Sequence, residues 1–180
     1  DLAKRARAAW AWADANPEVF YYNNDEPKQP GSKGLAAGQQ EMSAPERLRA
    51  KFEAAIYLFE MTGEAAFKAF VDANYRELVP EWGPTLWEVD AHEALLYYAR
   101  LPRASPDVAK SIRERFLARM AGKSSTFHES LQQSDPYRSP IQDYTWGSNK
   151  AKAMEARLFQ LVALDSTDAM LSEKSPAAAL

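Results

Sequence analysis

The chain has no cysteine, only two histidines, and no apolar run near the length of a membrane span. Without cysteine there is neither a disulfide framework nor a thiolate metal site, although a bacterial exported enzyme can do without bridges. A spanning helix needs roughly 20 consecutive apolar residues, so no membrane partner is expected. A net charge of −3 and a pI near 5.5 give no electrostatic case for nucleic acid. Period-two alternation is missing too, which leaves no basis for a sheet. His92-Glu93 lacks a second His at the spacing of a zinc-protease helix, and no Ser-Gly elbow supports a nucleophilic triad. The chain begins at Asp1 without Met and shows no signal-peptide pattern, as expected of a processed or excised piece.

What the chain does have is helical periodicity from end to end. Its 180 residues suffice for one domain with a substantial core. The first helix is predicted over 2–16, where Leu2, Ala6, Ala9, Trp10 and Ala13 recur at helical spacing and Asn16-Pro17 ends the run. Ser43-Ala44-Pro45-Glu46 is a capping-box pattern that opens a second helix, closed by Thr62-Gly63. Further helices are expected over 65–78, 85–101, 105–121 and 148–164, with a short one around 126–132 and a partial one over 172–180. Long connections at 17–42 and 122–144 alternate with short turns. That rhythm suits helical hairpins whose long loops share one face, and it suits a simple bundle as well.

Aromatic residues make up 12% of the chain, with five Trp and eight Tyr, enough for both a core and platforms for sugar rings. The segment Asp143-Tyr144-Thr145-Trp146-Gly147-Ser148-Asn149 concentrates that potential ahead of the last long helix. An indole can stack on the apolar face of a sugar, Gly147 permits close backbone approach, and Ser148 and Asn149 can bond hydroxyls. A buried Trp followed by a Ser or Asn N-cap satisfies the same spacing. Trp82, Trp87 and Glu88 repeat the theme at the start of the fourth helix, although acidic residues there are favoured by the helix dipole alone.

Three stretches in order resemble glycoside hydrolase family nine, the cellulase-type endoglucanases. They are Ala8-Ala9-Trp10-Ala11-Trp12-Ala13 running into Asn16-Pro17, Ala54-Ala55-Ile56-Tyr57-Leu58-Phe59-Glu60-Met61-Thr62-Gly63-Glu64, and Tyr144-Thr145-Trp146-Gly147-Ser148-Asn149. The first resembles a helix end that precedes a substrate-side loop in that family. The resemblance implies an all-α fold, with helical hairpins forming part of an (α/α)6 toroidal barrel of which this chain supplies about half. It implies a β-glucan substrate, an inverting mechanism and secretion. Substrate contacts would come from Trp146, Asn149, Tyr144, Trp87, Glu88 and Trp82.

Inversion needs two carboxylates about 6.5–9.5 Å apart, a base for the water and an acid for the leaving group. The family's segments for both, an N-terminal Asp-Ala-Gly-Asp and a C-terminal Glu, are missing here, so no catalytic residue is assigned. The remainder of the domain is then a required partner. The acidic pair usual near the fourth helix reads Glu88-Val89, which removes any role needing both carboxylates. The family's calcium-binding Asp-Glu pair reads Arg49-Ala50, and a guanidinium opposes a calcium ligand set. No metal and no cofactor is expected.

The remaining features read as structural. His92 beside Leu95 and Leu96 is expected to pack and hydrogen-bond. Tyr57, Leu58, Phe59, Ala54 and Ala55 read as a broad apolar helix surface, with Tyr97 and Tyr98 alike. Lys110, Arg113, Arg115 and Arg119 share a helix with Asp107 and Glu114 and read as a solvated face.

Overall fold

The computed structural model describes residues 1–19, 27, 42–78, 89–121 and 148–166. Every regular element among these is an α-helix: α1 (Leu2–Ala15), α2 (Ala44–Thr62), α3 (Ala65–Asn74), α4 (Val89–Arg100), α5 (Pro106–Ala121) and α6 (Ser148–Asp165). The fold class is all-α, as the periodicity implies. The chain divides into two compact units, Asp1–Asn74 and Tyr75–Leu180. The segments at 126–132 and 172–180 lie outside the described residues.

Helix ends in the first unit are set by side chains. The Asp1 carboxylate accepts from the Lys4 amide at 3.1 Å, and Asn16 Nδ2 donates to the Trp12 carbonyl at 2.8 Å. Ser43 and Glu46 form the reciprocal capping box, with Glu46 accepting from the Ser43 amide at 2.7 Å. The Ser43 hydroxyl and amide hold the Glu46 carboxyl below the usual glutamate range. Gly63 ends α2 at φ 72°, a left-handed position open to glycine, and its amide reaches the Phe59 carbonyl at 2.7 Å. Thr62 then accepts from the Glu64 amide at 3.2 Å, so Thr-Gly-Glu forms one compact corner into α3.

The third helix stops at Asn74, short of the predicted 78. Asn74 Nδ2 donates to the Phe70 carbonyl at 2.7 Å, a bond that satisfies the helix end, and residues 75–77 turn away. Phe52, Ile56, Phe67 and Val71 are buried between α2 and α3. Tyr57 and Ala54 correct the expectation of a broad packed surface, because both point to solvent. Helix α2 buries only the face that carries Phe52, Ala55, Ile56, Leu58 and Phe59.

Long-range pairs give the direction of each helix. Arg7 to Glu64 and Trp10 to Phe67 share an offset of 57 residues, so α1 and α3 run parallel. Lys51 to Asp14 and the Arg47 guanidinium to the Val19 carbonyl show α2 running the opposite way. The second unit repeats the arrangement. His92 packs on Phe116 and Arg113 bonds the Ala99 carbonyl, which makes α4 and α5 antiparallel. Arg157 to Glu93 and Arg100 to Asp165 have offsets of 64 and 65, which makes α4 and α6 parallel. Each unit is therefore an up–down–up triplet. In the second, Leu96, Tyr98, Leu158 and Phe159 are all at most 1% exposed. Each such burial stabilises by about 1.5–3 kcal/mol.

Candidate functional site

Parallel packing brings the starts of α4 and α6 to the same end of the second unit. Val89 opens one helix and Ser148 the other. Of the six predicted substrate contacts, Asn149 is described: it is exposed in the first turn of α6. Trp82, Trp87, Glu88, Tyr144 and Trp146 lie outside the described residues.

The middle of α6 is joined by charge to the first turns of α4. Arg157 Nε donates to one Glu93 oxygen at 2.8 Å, and a second guanidinium nitrogen donates to the other. The two-pronged geometry is the strong form of this pair. Asp90 adds a longer contact at 3.4 Å, and Met154 Sδ lies 3.3 Å from the same guanidinium. Asp90 and Glu93 are thereby committed to an ion pair instead of standing free for proton transfer. At the far end, Asp165 is held by Arg100 and by Arg113, the latter at 3.5 Å, with a carboxylate only 3% exposed. Arg113 thus departs from the predicted solvated face, whereas Lys110, 73% exposed and 3.8 Å from Glu114, fits it.

His92 is buried against Phe116, in agreement with a packing role. It borders a water-sized cavity of about 10 Å³ with Tyr75, Arg115 and Ile112. The Tyr75 hydroxyl donates to Ser111 Oγ and accepts from Arg76 Nε, each at 3.0 Å. The Ser111 bond first, then Arg76 and Arg115, draw the phenol below the usual tyrosine range against the opposing effect of burial. A space this small holds at most one water.

The first unit holds a feature that periodicity did not reveal, an open groove of about 890 Å³ along α1 and α2. Trp10, Trp12, Val19, Met42, Tyr57 and Met61 contribute to its lining. The available signal was the Trp10-Ala11-Trp12 pair, because residues two apart cannot share one helix face. Trp10 turns inward, edge-on to Phe67 at 5.3 Å and Phe70 at 5.1 Å, while Trp12 is 58% exposed. Lys51 sits over the Trp10 ring at 4.9 Å and pairs with Asp14.

Among the described residues no group of three metal-type ligands comes together, and no helix is long and apolar enough to cross a membrane. No family model, curated protein or solved structure matches this chain.

Proposed function

We propose that this chain is part of an inverting β-glucan hydrolase of the family-nine kind, one that cleaves β-1,4-glucosidic bonds and is exported to its substrate. In this reading the helical hairpins are a segment of an (α/α)6 toroidal barrel, and the chain contributes cleft residues while the catalytic carboxylates lie in the rest of the domain. The observation that carries it is the shared direction of α4 and α6. A hairpin barrel requires alternate helices to run parallel, and it gathers substrate contacts at the loops on one rim. In sequence Glu88 stands one residue ahead of α4 and Trp146 two residues ahead of α6, and in this reading both belong to that rim. Trp146 supplies a stacking face, and Asn149 and Glu88 supply orientation through polar contacts.

The test uses the full-length protein and this 180-residue chain side by side. The full-length protein is expected to hydrolyse soluble cellulose derivatives with inversion at the anomeric carbon, and this chain alone to be inactive. Trp146→Ala in the full-length protein should weaken cello-oligosaccharide binding by about 1–3 kcal/mol, as for other rings stacked on aromatics, while leaving the fold intact. Hydrolysis by this chain alone, or a Trp146→Ala protein that unfolds, overturns the assignment.

A second reading is supported by the groove in the first unit: a non-catalytic helical scaffold that binds carbohydrate or a protein. It is distinguished by full-length protein that binds glucan but releases no sugar, together with flanking sequence that lacks both carboxylate segments.

A further inference from the structure

We infer that the groove along α1 and α2 is a docking surface for a second copy of this chain, each copy lying antiparallel across the groove of the other about a two-fold axis. The inference is independent of the glucan reading. Among the described residues seven large apolar side chains are exposed, and five of them, Trp12, Val19, Met42, Tyr57 and Met61, line this one groove. Scattered apolar residues are ordinary on a surface, whereas a contiguous group marks a site of contact. Aromatic residues and Met are also the types enriched at the centres of protein interfaces.

The size of the patch suits a dimer. The five side chains are 46–58% exposed. Half uncovered, they present on the order of 500 Å² before the alanines between them are counted, and a standard interface takes roughly 800 Å² from each partner. Charge then selects the occupant. Arg47 lines the groove near the start of α2 and Glu60 near its end. Thirteen residues of helix separate them by about 20 Å. A two-fold axis through the middle of the groove reverses one copy against the other, so each Arg47 meets Glu60 of the other copy. Laid parallel, the two copies would set like charge against like. Lys51, nearer the middle, is already paired with Asp14 in its own copy. The surface is complementary to itself.

The experiment is sedimentation velocity on this 180-residue chain, up to about 100 μM, where even a weak dimer is populated. A monomer–dimer equilibrium is expected. Trp12→Ser, at a side chain already half exposed, should leave the circular dichroism unchanged and weaken the dimer by about tenfold or more, the effect of losing an aromatic anchor. Arg47→Glu and Glu60→Arg should each weaken association alone. An equimolar mixture of the two should restore it, because both cross-pairs of the mixed dimer again join opposite charges. A chain that stays monomeric at the highest concentration overturns the inference, as do assemblies that grow past two. So does a Trp12→Ser chain that pairs as tightly as wild type, or a mixture that associates no more tightly than its separate members.

Discussion

The two units share an up–down–up plan and differ in how one outer helix is held. In the first, α1 has no buried residue. It is attached through the edge of Trp10 on two phenylalanines and through ion pairs from Arg7 and Asp14. In the second, α4 buries eight residues, and α6 sends Leu158, Phe159, Leu161 and Val162 into the core, with one ion pair at its middle through Arg157 and another at its last residue, Asp165. One unit ties its outlying helix on at the surface; the other builds it in. The contrast teaches where an opening can occur without loss of the fold. Helix α1 can lift away at the expense of a few contacts, whereas α6 cannot leave without exposing a core.

The largest effect is expected from breaking the built-in helix. Phe159→Ala removes a side chain 1% exposed and should cost about 3–5 kcal/mol, seen as a large fall in urea midpoint. Protection against hydrogen exchange should fall together across α4, α5 and α6. If α6 alone loses protection, the second unit is no more integrated than the first.

The tied-on helix should respond differently. Trp10→Ala deletes two edge-to-face contacts and a cation–π contact and should cost about 1.5–3 kcal/mol. Amides of α1 should then exchange rapidly while those of α2 and α3 stay protected, because a free helix of 14 residues is marginal in water. Equal loss of protection in all three helices would erase the distinction between the units.

The smallest effect sharpens the comparison at a single cap. Ser43→Ala removes the acceptor for the Glu46 amide and should cost about 1 kcal/mol. The pH dependence follows from the lowered Glu46 value. A carboxyl depressed in the folded state stabilises above its ordinary unfolded value, and that contribution fades as pH falls through the depressed one. The difference in thermal midpoint between wild type and Ser43→Ala should therefore shrink on acidification. A difference that grows in acid would mean that Glu46 does not close the box.

Helix ends are legible in the sequence wherever a nearby side chain makes the cap. Asn16-Pro17, Ser43-x-x-Glu46, Thr62-Gly63 and Ser105-Pro106 each mark a boundary that the structure keeps within about two residues, the usual scatter of such assignments. The overshoot at 78 has the same logic, since Asn74 can cap as well as continue and periodicity does not choose. What stays hidden is long-range. Nothing near Arg157 points to a carboxylate 64 positions earlier, and Arg113 looks like its exposed neighbours until Asp165 is folded against it. Tyr57 misleads for a related reason: an aromatic among apolar residues reads as core, yet the core takes only one face of α2. Of the candidate site, Asn149 at the start of α6 is legible in position, and its neighbourhood depends on pairings that span the chain.

Three helices cannot cancel their dipoles. In the second unit α4 and α6 point one way and α5 the other, so one macrodipole is left over, equivalent to about half a positive charge where α4 and α6 begin and half a negative charge where they finish. Asp165 closes α6 at the negative pole, the wrong place for an almost buried carboxylate, and two guanidiniums gather there to offset it. The opposite pole has the Arg157 cation shared between two acids, Glu93 and Asp90. The ionised side chains therefore oppose the leftover dipole, with a surplus acid on the side of its positive end and a surplus guanidinium at its negative end, so that neither end presents an uncompensated helix field to an approaching ion.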